Sequence, residues 1–300
     1  MALLNPPELR ASVMCVALLY LAQRRGQGDD ADQIIGAIAP PSLSSDPGKL
    51  QLDARRNLVA VVEIGLATRT GDRIKLTPAA TKAAGKGPVA MSALIRDRVL
   101  SEELNTAPWG SQEGARDLTN ALAWFLSFSP AEAPISMERA SPSAKSLQER
   151  DFGPRHSQDD ESSGWPISND TRWNAFQRWA CALGFAWRSP ARRLIPDPTP
   201  VVRGSIPSIF GAQKSLDAHT FVGALGTSIP VLETGAYRRT VEQNWKRPPR
   251  DVETLSPATS EALLRLAASG HLKFEDRADS SRVRRFDGST FSHVSKGRVS

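Results

Sequence analysis

Residues 50–78 read LQLDARRNLVAVVEIGLATRTGDRIKLTP, and this stretch decides the fold. Its apolar side chains recur at helical spacing as far as Gly65, which supplies a stop, so a helix is predicted over residues 50–64. Thr70, Gly71 and Asp72 then break the following segment, after which Ile74 and Leu76 alternate with Arg73 and Lys75. This pattern predicts a β-hairpin. A helix that leads into a basic hairpin is typical of the second half of a winged helix-turn-helix.

Two more helices are predicted upstream of this stretch. One ends near Arg24, and Asp29 or Asp30 caps the other over residues 31–38. The order of three helices and a hairpin within residues 6–84 predicts a winged helix-turn-helix. In that fold the third helix enters the major groove of DNA, and the wing touches the backbone or the minor groove. The expected core joins Leu58, Val61 and Val62 of the third helix to Val13, Val16 and Tyr20 of the first.

The third helix and the hairpin offer candidate contacts to DNA. Lys and Arg neutralise phosphates, and an Asn on the outward side of the helix can read a base edge. Winged helices also serve as protein-docking modules, and the acidic residues Asp29, Asp30 and Asp32 lie nearby in sequence, so both uses stay open. The candidates are Arg55, Arg56, Asn57, Arg69, Arg73 and Lys75.

The C-terminal part of the chain repeats the order of helix and hairpin. A helix begins at Ser256 and Pro257 and continues to Gly270. Residues 271–277 and 281–286 are predicted to pair as a second hairpin. Residues 151–300 hold 21 basic against 16 acidic residues, so we expect the second wing to bind phosphates more strongly than the first, although such a run also suits an ordinary solvated face. The candidates are Lys273, Arg282, Arg284 and Arg285.

The predicted fold class is α+β, mainly α with small β-hairpins, in two winged-helix-like modules joined by a helical zone and a flexible linker. The linker has few large apolar side chains and many Pro, Ser and charged residues. After it, Trp173, Phe176 and Trp179 recur at helical spacing and are expected in the core. The predicted domains are residues 1–86, a helical connector over 87–128, the linker or mobile loop over 129–166, and a C-terminal domain over 167–295.

Several classes of protein are excluded by composition. Two cysteines in 300 residues cannot build a disulfide framework. No apolar run reaches the ~18 residues that a membrane span needs, and the first residues lack the features of a signal peptide. We therefore expect a soluble, cytoplasmic protein that does not contact a membrane.

Sequence motifs of catalysis are absent. The chain has no phosphate-binding loop, no paired-histidine zinc motif, no Cys-x-x-Cys and no nucleophile elbow. We therefore expect no catalytic residue, no metal ligand and no cofactor. A cryptic nuclease or hydrolase is the alternative, and it would need at least two of four acidic residues to converge with a histidine: Asp197, Glu233, Glu242 and Asp251.

Three stretches carry a resemblance to a bacterial family. They are ALLNPPE at residues 2–8, WNAF with the later RWA, LGF and W between residues 173 and 187, and IPDPT at residues 195–199. Together they resemble the G component of the Dpd systems, gene clusters that insert 7-deazapurine derivatives into DNA and restrict unmodified DNA. The resemblance implies a role in DNA modification, restriction or phage defence beside helicase and nuclease partners. It carries over no functional residue.

The leading hypothesis is a non-catalytic adaptor subunit that binds duplex DNA through winged helices and docks a helicase or nuclease. A protein-only scaffold is the alternative, and an exposed aromatic patch around Trp109, Trp124 or Trp245 would favour it.

Overall fold

The computed structural model describes residues 2–5, 8–24, 26–111, 113–155, 164–248, 251 and 253–297. Over these residues the protein is α+β and mainly helical, with twelve α-helices and small antiparallel sheets of two or three strands. The predicted fold class is confirmed at this level. None of the helices in the described ranges combines the length and the apolar character that a membrane crossing requires.

The chain divides into two compact units. One comprises Met1–Ala107, Gln112–Leu118 and Asn174–Leu183, and the other comprises Pro108–Ser111, Thr119–Trp173 and Gly184–Ser300. The boundaries of the four predicted domains stay predictions.

The first unit contains the predicted helices and hairpin. Its sheet has the order β1-β3-β2, with all pairs antiparallel. Its elements are α1 (Ala11–Gln23), β1 (Asp29–Asp30), α2 (Ala31–Ile38), a 3-10 helix (Pro41–Leu43), α3 (Pro47–Glu63), β2 (Ala67–Thr70), β3 (Arg73–Leu76), α4 (Pro78–Ala84), α5 (Pro88–Val99) and a second 3-10 helix (Glu102–Leu104).

Local chemistry sets the ends of helix α3. The Asp46 carboxylate accepts a hydrogen bond from the Lys49 amide at 3.0 Å and so caps its start. At its end Gly65 has a φ of +75°, and the Leu66 amide donates to the Val61 carbonyl at 3.0 Å. This is a Schellman motif, which ends the helix and directs the chain into strand β2.

The inward face predicted for helix α1 is wrong. Met14, Leu18 and Leu21 are buried, whereas Val16 is 51% exposed. The buried residues recur at i, i+4 and i+7, and Val16 lies on the opposite side of the helix from them. The third-helix side of this core was predicted better, since Leu58 and Val61 are buried, but Val62 is only half-buried.

The second unit has a sheet of order β6-β10-β7 and two separate strand pairs, β4–β5 and β8–β9. Helices α6 (Arg116–Phe125) and α8 (Asp170–Ala182) have residues in both units. The remaining elements are α7 (Ala144–Phe152), β4 (Ala186–Arg188), β5 (Leu194–Pro196), α9 (Thr199–Phe210), β6 (Ser215–Asp217), α10 (Ala218–Ser228), α11 (Ala236–Gln243), α12 (Pro257–Ala268), β7 (Leu272–Glu275), β8 (Val283–Arg284), β9 (Thr290–Phe291) and β10 (His293–Lys296).

The predicted pairing of the second hairpin is wrong. Strand β7 pairs with β10, where Phe274 lies opposite Val294, and β8 pairs instead with β9, where Val283 lies opposite Phe291. The short segments β8 and β10 show the same alternation, so the pattern alone does not choose between them. Strand β10 is central because β6 pairs with it on the side away from β7, so a strand distant in sequence decides the pairing.

Part of the predicted linker forms a packed helix. This helix is α7, and its Gln148 side chain is buried while it donates to the Ile167 carbonyl at 2.8 Å and accepts from the Ile167 amide at 2.9 Å. The expectation of an unpacked segment is therefore wrong there, because internal hydrogen bonds satisfy polar residues that composition counts as solvent-seeking. Residues 156–163 of the predicted linker lie outside the described residues.

The aromatic helix α8 is confirmed as part of the core, with Trp173, Phe176 and Trp179 all buried. The two units also share an order of elements. The series α1, β1, α2, α3, β2 and β3 corresponds to α9, β6, α10, α12, β7 and β10, with α11 and the β8–β9 pair as additions. Helix α12 ends like α3, because the His271 amide donates to the Leu266 carbonyl at 2.8 Å around Gly270.

Candidate nucleic-acid interface

Two arginines lie on the exposed side of helix α3. The Arg55 guanidinium lies 2.6 Å from the Asp32 carboxylate, and that of Arg56 lies 3.1 Å from Glu8. Both arginine side chains are more than 40% exposed. Exposed pairs of this kind contribute about 0–1 kcal/mol, so a phosphate can compete for either arginine.

The β2–β3 hairpin adds three cations to the same unit. Arg69 donates to the Gly71 carbonyl at 2.9 Å and lies 3.5 Å from the exposed Asp72 carboxylate. Arg73 and Lys75 are exposed, and in the part of the chain that the structure describes neither has an ion-pair partner. Of the three cations on this hairpin, Arg73 and Lys75 are therefore the two that a phosphate reaches without displacing a carboxylate.

Asn57 does not lie on the outward side of helix α3, so the placement on which its predicted role as a base reader rested is wrong. Its side chain is fully buried, and its Oδ1 accepts from the Arg10 amide at 2.7 Å. Its Nδ2 donates to the carbonyls of Glu8 and Asp53 at 2.9 and 2.8 Å. These bonds hold the residues before α1 against α3. The helical period places Asn57 beside buried Leu58 and Val61, and that signal was present in the sequence.

A shallow groove separates helix α3 from the hairpin. It has a volume of about 160 Å³, its floor is apolar and includes Leu58, Val62 and Ile74, and Arg55 and Arg69 are among its polar lining. The outward side of α3 also exposes two apolar side chains, Leu52 at 49% and Val59 at 44%. Sequence analysis missed this apolar strip, although the spacing of seven residues between Leu52 and Val59 marks one helix face.

In the second unit the start of helix α12 is covered. All side chains of residues 257–260 are buried, and the Ser256 amide donates to the Glu233 carboxylate at 2.8 Å. A winged helix reads base edges with the first residues of its recognition helix. Those residues of α12 are packed inside the protein, and a carboxylate occupies the place where a phosphate would bind a helix N-terminus.

A buried ion pair fixes this arrangement. Arg238 is 1% exposed, and it donates to the carbonyls of Ala123 and Leu126 and to the Glu233 carboxylate at 3.1 Å. The Thr259 hydroxyl donates to the other Glu233 oxygen at 2.5 Å. Burial alone would raise the pKa of Glu233, but the Arg238 charge and the hydrogen bonds from Ser256 and Thr259 outweigh it, so this pKa is lowered.

The basic candidates of the predicted second wing do not share one hairpin, since Lys273 lies on β7 and the three arginines lie on or beside β8, and two of the four have acidic partners. Lys273 lies 3.3 Å from Glu275, and Arg282 lies 2.6 Å from Asp276. Hydrogen bonds from Arg277 and Lys273 lower the pKa of Glu275, so its charge persists at neutral pH. The wing is therefore less positive locally than the charge count of this half of the chain indicated.

The other two wing arginines differ from each other. Arg285 donates to the Ser289 hydroxyl at 2.8 Å, and its guanidinium lies 5.1 and 5.6 Å from the ring centroids of Phe274 and Phe291. Arg284 is exposed, and no acidic side chain pairs with it in the described ranges. Of the four candidates in this wing, Arg284 is the one whose charge is most accessible.

Three of the four acidic residues of the cryptic-enzyme alternative are held by arginines, and the fourth, Asp251, accepts hydrogen bonds from Glu253 and Thr254. Asp197 lies 2.5 Å from Arg265, while Glu233 and Glu242 both contact Arg238. In the described part of the chain, no three His, Cys, Asp or Glu side chains are grouped so that they could hold a metal ion. The aromatic patch that would favour a scaffold is not formed, since Trp124 and Trp245 are buried and Trp109 is half-buried.

Together these features define an α+β protein, mainly helical, in which each unit presents a hairpin with basic side chains beside a helix. The chain belongs to the DpdG-like family, whose model matches residues 1–280. This match confirms the resemblance to the G component of the Dpd systems. No curated protein and no solved structure matches the chain.

Proposed function

We propose that this protein is a non-catalytic, DNA-binding adaptor subunit of a Dpd DNA modification and restriction system. Residues 11–76 serve as a winged helix-turn-helix, with α3 as the recognition helix and the β2–β3 hairpin as the wing. The element order and the sheet order β1-β3-β2 support this proposal, because the third helix leads directly into a hairpin that pairs with the strand after the first helix.

The observation that carries the proposal is the set of exposed cations on α3 and the hairpin of one unit. Arg55 and Arg69 line the same groove, and Arg73 and Lys75 extend the positive surface along strand β3. Such side chains bind phosphates, which position a protein on DNA without reading sequence. Because Asn57 is buried, the unit presents few groups for base edges. Binding is therefore expected to be weakly sequence-selective.

The second unit contributes through its wing rather than through helix α12. The start of α12 is buried behind Glu233, so it does not enter a groove, whereas Arg284 is exposed. Residues 199–296 act in this proposal as a second winged-helix-like module whose recognition helix has become part of the core.

A titration with duplex DNA at several salt concentrations tests the proposal. On duplex DNA, log affinity falls with log salt by ~0.9 for each neutralised phosphate. We expect the R73A/K75A variant to lower this slope by nearly 2 for unrelated sequences alike. K82A/K86A is the matched control, because it removes two exposed lysines of the same unit from the region of α4. Absence of binding at low salt, or equal slopes for the two variants, would contradict the proposal.

The same titration compares the two wings. Because residues 151–300 carry the larger positive charge, we predict that R282A/R284A/R285A weakens DNA binding more than replacement of Arg69, Arg73 and Lys75 in the first wing does. This comparison stays a prediction.

The protein-only scaffold remains the second candidate, and the apolar strip of α3 favours it. Leu52 and Val59 lie on its exposed face, and the neighbouring groove has an apolar floor. Other subunits of the system, such as a helicase or a nuclease, are the partners in both proposals. If L52D/V59D abolishes capture of such a subunit while DNA binding is absent in the wild type, the scaffold is correct.

A further inference from the structure

The hairpin formed by β8 and β9 has a hydrogen-bonded turn with an aromatic residue at its tip. The Arg285 amide donates to the Ser289 carbonyl at 2.8 Å, and the Gly288 amide donates to the Arg285 carbonyl at 3.0 Å. Gly288 has a φ of +86°, which completes a three-residue hairpin loop with a glycine in the left-handed region. Phe286 is the first residue of this loop and is 52% exposed.

The turn is fixed to the body of the second unit. The Phe286 amide donates to the Ser260 hydroxyl of helix α12 at 2.9 Å, and Ser260 is buried. The Arg284 amide donates to the Glu253 carbonyl at 2.8 Å, and its carbonyl accepts from the Leu255 amide at 2.9 Å. The exposed ring is therefore presented by an anchored backbone, and little ordering entropy opposes its contact with a ligand.

The residues around the ring alternate between buried and exposed. Val283 is buried and Arg285 is half-buried, while Arg282, Arg284 and Phe286 are exposed. Arg284 on strand β8 precedes Phe286 by two residues and is exposed, whereas the exposed Arg282 pairs with Asp276. The carboxylate of neighbouring Asp287 is engaged by the amide and the hydroxyl of Ser289 within the turn.

We propose that Phe286 is a stacking platform for an unpaired base of DNA, with Arg284 on the adjacent phosphate, so that the protein prefers a junction between duplex and single strand. This inference rests on the proposed DNA binding. A base inside a duplex already stacks on its neighbours, whereas an unpaired base gains a π-face contact from an exposed aromatic ring. Because arginines lie near the ring in sequence, a negatively charged nucleic-acid strand is favoured as its ligand over an apolar pocket of a partner protein.

The test uses the full chain with fluorescently labelled DNA, comparing a blunt duplex with a duplex of equal length that ends in two unpaired tails. Stacking of one base predicts that wild type binds the forked DNA about ten-fold more tightly. F286A should remove this preference and leave affinity for the blunt duplex unchanged. F286W should keep it, while F286L, which is apolar but not aromatic, should lose it. V89A is the control for loss of an exposed apolar side chain, since Val89 is 85% exposed on α5.

Every other result of this experiment contradicts either the stacking site alone or both the stacking site and the proposed DNA binding. Binding to the blunt duplex with no preference for the fork, or a preference that survives in F286A, overturns the stacking site and leaves the proposed function intact. A preference kept by F286L overturns stacking in favour of a general apolar contact. No binding to either DNA overturns both proposals.

Discussion

Replacement of Glu233 by Gln removes one charge from a buried network and changes little else. Gln keeps an oxygen that accepts from the Ser256 amide, so the cap at the start of α12 is retained. The Arg238 guanidinium, which is 1% exposed, loses its closest buried counter-charge. The perturbation therefore isolates the electrostatic part of the interaction.

The size of the expected loss of stability depends on the charges that remain around Arg238. Removing one partner of a buried ion pair costs about 3–5 kcal/mol, because the other charge stays buried without compensation. Glu242 still lies 3.1 Å from Arg238 Nε, but that nitrogen forms no hydrogen bond and Glu242 is 35% exposed. We expect E233Q to lower the free energy of unfolding by about 3 kcal/mol, the lower end of that range.

Urea denaturation at pH 7 measures this loss, and E242Q is the matched control on the same arginine. Because Glu242 is more exposed, E242Q should cost below about 1 kcal/mol. The double variants with Arg238→Met complete a cycle that gives the coupling energy of each pair. A loss for E233Q no larger than that for E242Q would refute this account of the network.

The pH dependence provides an independent check of the same charge. The folded-state pKa of Glu233 is lowered, so its contribution to stability is complete above the unfolded pKa of about 4.3 and is lost as the pH falls through the folded value. The difference in unfolding free energy between wild type and E233Q should therefore be constant near neutral pH and shrink below about pH 4. A difference that is unchanged down to pH 3 would show that Gln acts through packing instead.

Two further predictions concern packing and backbone conformation. N57L should lower the free energy of unfolding by about 3 kcal/mol, because it leaves the Arg10 amide without an acceptor. The control R56A changes an exposed side chain and should alter this free energy by below about 1 kcal/mol. An N57L protein of normal stability that no longer binds DNA would restore the base-reading role. G204A should raise the free energy of unfolding by about 0.5–1 kcal/mol, because Gly204 is helical and a Cβ there meets nothing within 4 Å. G288A should lower the free energy of unfolding by about 1 kcal/mol, because Gly288 has a φ of +86°, which disfavours a residue with a Cβ. Equal effects of G204A and G288A in thermal melts would contradict this reasoning.

The first unit was predictable because each of its elements carries its own local signal. Helix α2 has the predicted bounds, and Gly65 ends α3 in the way that its backbone freedom allows. The hairpin likewise follows from Gly71 and from the alternation of apolar and basic residues after it. The face of α1 was missed because several apolar residues in that helix fit more than one stripe, and only the packed neighbours select among them.

The second unit depends on contacts that are distant in sequence, and these were not predictable from local patterns. Val294 rather than Val283 enters the sheet because β6, near residue 215, supplies the neighbouring strand. Helix α7 was missed because its buried polar residues, Gln148 and Asp151, count against burial until their partners are known. The Asp151 carboxylate accepts from the Trp124 indole at 2.9 Å, 27 positions earlier in the chain.

The two candidate recognition helices show why a shared element order does not imply a shared role. Helices α3 and α12 both begin after a residue suited to capping, start with a proline and end in a Schellman motif. Their starts differ in what covers them, since the side chains that flank α3 at Asp46 and Lys49 are exposed, whereas Glu233 and Arg238 bury the start of α12. A carboxylate lies at each start, but the Asp46 cap of α3 is exposed to solvent, whereas the Glu233 carboxylate at α12 is held inside the protein by Arg238. In the proposed DNA-binding role, the phosphate contact of the second unit therefore falls to the exposed Arg284 rather than to the start of α12.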